Sequence, residues 1–260
     1  MLINGLSTNV EPIPALLPPQ DIVYQYQSAF VPVVPPVIER VVDWPMQIVP
    51  KVAPVTPCEI EDNEFVFLVG PSGAGKTSII KLILRETIPS TGSILVDDLD
   101  IADKKFIDIV DLRRNIGIVF QDFKVLADKN IFENVSIALK VTGSLNHDIK
   151  NKVKEVLKLV GLEDKEKIFP VQLSAGELQR VAIARAIIGD RKIILADEPT
   201  GNLDPKTSWD IMKIFKKLEG KKTIIIATHN IDIVNSFQKR VIMLKHGKII
   251  KDLRKGGYEI

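Results

Sequence analysis

Nearly uninterrupted apolar runs of strand length recur along the second part of the chain. The four clearest cover residues 65–69, 116–120, 193–196 and 223–227. A strand that is apolar on successive residues is typical of a sheet covered on both faces, as parallel sheets are. The pattern therefore predicts a core of buried parallel strands.

The segments between these runs carry apolar residues at helical spacing. Residues 149–160 and 211–218 each show an apolar stripe, and a glycine closes each of them, Gly161 and Gly220. Two short runs around His246-Gly247 predict a closing β-hairpin. Helices that alternate with strands indicate an α/β fold with a mainly parallel sheet, helices on both faces and an antiparallel β portion.

A glycine-rich segment that ends in lysine and threonine follows the first apolar run. It fits the pattern G-x-x-x-x-G-K-[ST] of phosphate-binding loops through Gly70, Pro71, Ser72, Gly73, Ala74, Gly75, Lys76 and Thr77, with Ser78 next. A helix at 77–84 should follow, so backbone N–H groups and the helix N-terminus attract an anion. We expect Lys76 to reach the β- and γ-phosphates of a nucleotide and the Thr77 hydroxyl to bind Mg²⁺. The alternative is an ordinary glycine-rich turn, and the flanking strand and helix argue against it.

Two acidic residues close the third apolar run. Asp197 and Glu198 follow four apolar residues, which places both at the C-terminal tip of a buried strand. Ligands of open α/β sheets bind at such tips. Asp197 is therefore the candidate Mg²⁺ partner, and Glu198 the candidate general base or water-orienting residue for attack on the γ-phosphate. The alternative is a strand end with two solvated acids.

A second helix start has the residues of a capping box. Ser174 is the predicted N-cap, Glu177 completes the box, and the helix should run as far as Gly189. Its N-terminus is a second candidate anion site. One small domain cannot easily present two such helix starts to the same γ-phosphate, whereas a partner subunit could supply the second.

Six short motifs resemble, in their order, the ATP-binding subunit of ABC transporters over residues 59–258. They are the phosphate loop, Gln121, Leu173-Ser174-Ala175-Gly176-Glu177, Asp197-Glu198, Asn202-Leu203-Asp204 and His229. The resemblance implies an ATPase with a helical subdomain at about 122–173. It also implies a homodimer in which two subunits sandwich two ATP molecules head to tail.

The resemblance assigns a role to each matched position. The signature residues Ser174, Gly176 and Glu177 would bind the nucleotide of the other subunit, and Asp204 would cross the interface. Gln121 would contact the metal and link it to the coupling surface, while His229 would contact the γ-phosphate. Without the other motifs, a lone histidine or glutamine at a strand end would carry no such meaning.

Two signature positions depart from the family pattern. Ala175 stands where the family usually has a first glycine, and Glu177 stands where it usually has glutamine. Alanine is small and favours a helix by about 1 kcal/mol over glycine. We therefore expect activity to survive these changes.

Finer features resemble one branch of the family, the bacterial cell-division ATP-binding proteins FtsE. They are Gln121-Asp122-Phe123, the segment 196–205, Thr207-Ser208-Trp209 and Gly256-Gly257-Tyr258. This resemblance implies FtsX, an integral membrane protein, as partner, and ATP turnover that controls cell-wall hydrolases. Lipoprotein-releasing and macrolide-exporting ATPases share the Gly201-Asn202-Leu203-Asp204 segment and are the alternative.

Two other classes of protein fit the sequence less well. Soluble ABC ATPases that act on DNA or ribosomes usually have a long coiled-coil insertion or two cassettes, whereas these motifs occur once without a long heptad run. A P-loop kinase would leave the Leu-Ser-x-Gly-Glu motif unexplained. We expect no direct contact with nucleic acid.

Composition limits the setting in which the chain works. Its 260 residues carry 35 Lys and Arg against 33 Asp and Glu, so the net charge of +2 argues neither for nor against a nucleic-acid surface. The one cysteine, Cys58, suits a reducing cytosol. No run of eighteen apolar residues and no signal peptide occur, so we expect a peripheral protein at the cytoplasmic face of the membrane.

The first 57 residues differ in composition from the ATPase domain predicted at 58–260. They contain eleven of the sixteen prolines, which break helices and central strands. The segment is an interaction arm, a divergent edge sheet, or sequence foreign to the domain, such as the product of a shifted reading frame. In the family an aromatic residue of this region stacks on adenine, and the candidates are Trp44, Tyr24, Tyr26 and Phe30.

Overall fold

A six-stranded sheet forms the centre of the molecule. The computed structural model describes residues 2–7, 58–141 and 146–255, with side chains from 58 to 141 and from 148 onward. The strands are β1 (Leu2–Ser7), β2 (Cys58–Glu59), β3 (Phe65–Val69), β4 (Thr91–Val96), β5 (Leu99–Asp100), β6 (Ile116–Val119), β7 (Ile193–Asp197), β8 (Thr223–Thr228), β9 (Arg240–Lys245) and β10 (Lys248–Leu253). The α-helices are α1 (Lys76–Ile83), α2 (Ile109–Asn115), α3 (Ile131–Lys140), α4 (Asn146–Val160), α5 (Ala175–Ile187), α6 (Pro205–Leu218) and α7 (Ile231–Phe237).

The central sheet has the order β10-β9-β3-β8-β7-β6. Every neighbouring pair is parallel except β9 and β10, which form the predicted closing hairpin. The carboxyl ends of β3, β7 and β8 therefore meet at one edge, where ligands of α/β sheets bind. The predicted α/β class with a mainly parallel sheet is confirmed.

A second, antiparallel sheet of four strands has the order β2-β1-β4-β5. Its strand β1 comes from the proline-rich segment predicted at 1–57 and pairs with both β2 and β4. The four aromatic candidates for adenine stacking, Trp44, Tyr24, Tyr26 and Phe30, lie outside the described residues. So does the Gly256-Gly257-Tyr258 segment.

Side chains of β3 alternate between two apolar clusters. Phe65, Phe67 and Val69 face the cluster that includes α3, α4, α5 and α6. Val66 and Leu68 face the cluster that includes α1 and β4. All five residues are buried, which explains the uninterrupted apolar run and fixes the strand that carries the phosphate loop.

Glycines at the helix ends determine where several helices stop. Gly161 and Gly220 follow α4 and α6 with φ of +71° each, and Gly189 follows α5 with φ of +86°, so the predicted glycine ends are confirmed. Helices α3 and α4 contact each other and α5. Both lie in the range 122–173 that was predicted for a helical subdomain. Among the helices that the structure describes, none is at once long and apolar enough to span a membrane.

Candidate nucleotide-binding site

The phosphate loop joins the end of β3 to the start of α1. Gly70 sits where a Cβ atom would lie 2.3 Å from the Leu244 carbonyl oxygen, so only glycine fits without displacing β9. Gly75 caps α1 with φ of +105°, a left-handed conformation that glycine adopts freely. The loop thus has the strand, turn and helix that the motif requires.

The closing hairpin also supports this loop. The N–H of Gly247, in the turn between β9 and β10, donates a hydrogen bond of 3.1 Å to the Ala74 carbonyl. Gly247 also approaches Gly75, because a Cβ added there would lie 3.6 Å from the Gly247 Cα. The sequence predicted the hairpin but gave no signal for this contact, which joins distant parts of the chain.

Lys76 is buried at the centre of the loop. Its Nζ donates hydrogen bonds to the carbonyls of Gly70, at 2.8 Å, and Pro71, at 3.2 Å. The same ammonium lies 3.5 Å from Oε1 of Glu198. The lysine is therefore held with its charge inside the loop, where phosphate oxygens would meet it.

Glu198 lies just beyond β7 with φ of +47°, an uncommon conformation for a residue with a side chain. Its N–H donates to the Ala227 carbonyl at 2.9 Å. Its carboxylate meets His229, with Nδ1 2.8 Å from Oε1 and the His229 N–H 3.4 Å from Oε2. A cleft of about 220 Å³ opens beside the two residues, and Thr200, Trp209 and Asn230 also line it.

Asp197 and Thr77 form the candidate metal site. Burial is the main effect on Asp197 and raises the pKa of its carboxyl, while a hydrogen bond with the Thr77 side chain opposes that shift. Oδ1 of Asp197 is buried without a hydrogen-bond partner. A buried carboxylate oxygen beside a hydroxyl fits Mg²⁺, which binds through one or two carboxylates together with phosphate oxygens and water.

Gln121 is joined to the segment that follows Glu198. Its Nε2 donates to Oδ1 of Asn202 at 3.2 Å, and Nδ2 of Asn202 donates to the Gln121 carbonyl at 3.3 Å. A Cβ atom on Gly201 would lie 3.0 Å from the Gln121 amide nitrogen. Asn202, quoted in sequence only as part of a motif, is thus the partner that orients Gln121.

The predicted capping box at the signature helix is confirmed. Ser174 Oγ accepts from the Glu177 N–H at 3.3 Å, and Oε2 of Glu177 accepts from the Ser174 N–H at 2.9 Å. The hydrogen bond from the Ser174 backbone is the main cause that lowers the pKa of Glu177 to about 2, with Lys165 3.1 Å from Oε1 as a further cause. Glu177 therefore holds the helix start, and Ala175 is its first helical residue.

Gly176 packs directly against the start of α6. A Cβ atom there would lie 2.4 Å from Cγ2 of Thr207, which follows Asp204 by less than one helical turn. Asp204 is the N-cap of α6, and its carboxylate accepts from the Thr207 N–H at 3.0 Å. Thr207, which the sequence did not single out as a site residue, thus joins Gly176 to Asp204.

These contacts divide the predicted residues into two groups. Lys76 and His229 both contact Glu198, and Asp197 contacts Thr77. Ser174, Gly176, Glu177 and Asp204 form the second group. In the stretches 58–141 and 146–255, no hydrogen bond or ion pair joins the second group to the first.

Residues 56–201 match the ABC transporter family. The chain is 50% identical over 200 residues to the cell division ATP-binding protein FtsE of Bacillus subtilis (strain 168), a match that covers 76% of this chain and 88% of that protein. It is 43% identical over 201 residues to the FtsE protein of Mycobacterium tuberculosis (strain ATCC 25618 / H37Rv), which covers 77% and 87%.

Solved structures of MJ0796, a bacterial ABC transporter cassette, have the same fold. The dimeric structure gives a TM-score of 0.70 at 35% identity and covers 79% of this chain and 91% of that one. A dimeric post-hydrolysis state bound to ADP and Pi gives 0.71 at 33% identity and covers 84% and 97%. With the match to residues 56–201 and the identity to FtsE over most of its length, these findings show that the chain is an ATP-binding ATPase of the ABC transporter family, in its FtsE branch.

Proposed function

We propose that this ATPase acts in cell division, where its ATP cycle drives an integral membrane partner of the FtsX kind. The identity of 43–50% with proteins named for cell division supports this role. On this proposal the chain sits at the cytoplasmic face of the membrane through its partner. It binds no nucleic acid directly.

The cluster of Lys76, Glu198 and His229 carries the proposed chemistry. The loop from Gly70 to Ser78 holds the phosphates of ATP, and Lys76 takes its place beside the β- and γ-phosphates. Glu198 orients or deprotonates the attacking water, and His229 holds that carboxylate in position from 2.8 Å. Thr77 and Asp197, with Gln121 as a further candidate ligand, would hold Mg²⁺, which would supply positive charge against the phosphates.

The second group of residues serves the other subunit of a homodimer. Ser174 and Gly176 start a helix whose N–H groups attract an anion, and Asp204 lies next to them through Thr207. Their separation from the phosphate loop of the same chain supports a head-to-tail sandwich. In that arrangement each ATP lies between the loop of one subunit and the signature of its partner, and Asp204 crosses the interface.

Mixed dimers test this arrangement. Subunits with Lys76→Ala are combined with subunits with Ser174→Arg, each inactive alone. In a head-to-tail heterodimer one site has both defects and the other has neither. Partial recovery of ATP hydrolysis is expected, and no recovery at any mixing ratio would contradict the sandwich.

A depletion experiment tests the cellular role. Cells in which the native chain can be depleted receive either the wild type or Glu198→Gln from a plasmid. We expect the wild type to restore division and the variant to leave it blocked. Normal division in depleted cells, with a defect in lipoprotein release or macrolide export instead, would favour the alternative transporters.

A further inference from the structure

The segment after Gln121 contains a strained turn. Phe123 and Lys124 have φ of +58° and +50°, so two consecutive residues with side chains lie in the left-handed region. The Lys124 N–H donates to the Asp122 carbonyl at 2.6 Å, which closes the turn. Such a backbone persists only where its surroundings hold it.

The ion pair on the exposed side of the turn contributes little to its stability. Lys124 Nζ lies 2.8 Å from Oδ2 of Asp122, but both side chains are more than half exposed, and such ion pairs contribute little. The half-buried contact comes from α5. Nη2 of Arg185 donates a hydrogen bond of 3.2 Å to the Phe123 carbonyl, and burial lowers the pKa of that guanidinium.

The chain beyond the turn is fixed separately. Asn134, fully buried on α3, accepts from the Leu126 N–H at 2.8 Å and donates to the Leu126 carbonyl at 3.0 Å. Its amide also donates to the carbonyls of Lys129 and Asn130. Both ends are therefore anchored, by β6 before Gln121 and by Asn134 after it, and the turn between them is where the segment can change.

We propose that Arg185 is a positioning residue that holds this strained turn and thereby sets the place of Gln121 at the nucleotide. Arg185 lies in the last turn of α5, the 13-residue helix that Ser174 begins. One helix thus joins the signature to the Gln121 segment, and on this proposal a shift at either end moves the other. The inference rests on the role proposed above for Gln121.

Kinetics of variants in the full-length chain test this role, with Arg191→Met as the matched control. Arg191 is also a half-buried arginine, and its Nη1 donates to the Ile116 carbonyl at 3.2 Å, at the opposite end of β6. For Arg185→Met we expect kcat of ATP hydrolysis to fall, and the Mg²⁺ concentration for half-maximal rate to rise, by about fivefold to tenfold. KM for ATP and the values for Arg191→Met should stay near the wild type.

A double mutant separates positioning from general stability. Gln121→Ala combined with Arg185→Met should be no slower than Gln121→Ala alone, because Arg185 acts through Gln121. Additive losses, or equal effects of Arg185→Met and Arg191→Met, would overturn the inference. If Arg185→Met fails to fold, Arg185→Lys is used, which keeps the charge but not the planar donor, and the same criteria apply.

The single variant Gln121→Ala separates the role proposed for Gln121 from the inference about Arg185. A normal rate and normal Mg²⁺ dependence in Gln121→Ala would remove the proposed role of Gln121, and with it the inference about Arg185. If Gln121→Ala is defective while Arg185→Met is not, only the inference about Arg185 is wrong.

Discussion

Lys76 and Glu198 form an ion pair, with 3.5 Å between Nζ and Oε1, although they follow different strands of the sheet. The same oxygen of Glu198 lies 2.8 Å from Nδ1 of His229. A γ-phosphate that takes Lys76 as its counter-ion competes with this pair. We therefore expect ATP binding to release the Glu198 carboxylate from Lys76 while His229 still holds it.

Lys76→Ala should abolish ATP binding. Charge-assisted hydrogen bonds to phosphate are the strong ones, so we expect affinity to fall about 100-fold or more. Titration with a fluorescent ATP analogue measures this, and Lys81→Ala, an exposed lysine of the same helix, is the control. Near-normal affinity in Lys76→Ala would remove the assignment of the phosphate loop.

Glu198→Gln should bind ATP and hydrolyse it about 10²–10³ times more slowly. The amide cannot accept the proton of the attacking water, while Lys76 and the loop still hold the nucleotide. Gel filtration with Mg-ATP should show a dimer that contains trapped ATP. The surface variant Glu163→Gln is the control, and a monomeric Glu198→Gln with normal turnover would contradict both the base and the sandwich.

Asp197→Asn should make the nucleotide-free protein more stable while it abolishes Mg²⁺-dependent turnover. Burial raises the pKa of Asp197, so the ionised carboxylate lowers the stability of the folded state at pH above that raised pKa. We therefore expect a higher Tm for Asp197→Asn than for the wild type at pH 7.5. The gain should shrink as pH falls through the raised pKa and should vanish below the ordinary aspartate pKa of 3.8, where the carboxyl is protonated in both the folded and the unfolded state.

Thermal unfolding of both proteins at several pH values measures this effect. An equal Tm for wild type and Asp197→Asn at pH 7.5, or a gain in Tm that grows in acid, would show that burial of the ionised carboxylate does not lower the stability of the fold. Loss of turnover alone would not decide the question, because it follows from either result.

Gly176→Ala should destabilise the fold even without nucleotide. The new methyl group would lie 2.4 Å from Cγ2 of Thr207, and such overpacking costs about 1–3 kcal/mol. Thr207→Ser removes that Cγ2 atom, and the next atom of Thr207 lies at 3.7 Å, an ordinary contact. Urea unfolding should therefore show that the double mutant recovers most of the loss. A double mutant as unstable as Gly176→Ala would locate the strain elsewhere.

Phe123→Ala should break co-purification with the membrane partner and leave ATP affinity and Tm nearly intact. Phe123 is half-buried at a polar strand tip, a place where aromatic residues commonly anchor interfaces. Phe106→Ala, a half-buried aromatic that packs against the α1 cluster, is the control. A loss of about 3–5 kcal/mol in stability, as for an emptied core site, would show instead that Phe123 is structural.

Local signals allowed several of the strands and helices to be predicted. The bounds of β3, the capping box of Ser174 and Glu177, and the glycines after α4, α5 and α6 all follow from residues close together in sequence. The motifs likewise predicted the positions of the phosphate loop and Asp197, because each of them lies at the end of one strand, β3 or β7.

Contacts between distant residues were not predictable from the same signals. Nothing in the sequence indicates that the Gly247 N–H supports Ala74, that Thr207 packs on Gly176, or that Arg185 holds Phe123. Each of these depends on how whole elements pack, and periodicity does not encode that. The pairing of Leu2–Ser7 with β4 was missed for the same reason, since proline content described the segment around it but not its partner.

The position of β3 in the sheet also decides when the nucleotide site can form during synthesis. Its two neighbours, β8 and β9, are made from residues 223–245, long after the phosphate loop has left the ribosome. Until then β3, whose five residues are all apolar, has no partner on either side. Non-local pairing of this kind folds slowly and exposes unpaired strands to aggregation. A nascent chain that stops before β8 would therefore carry the complete phosphate-binding motif while β3 still lacks both of its neighbouring strands.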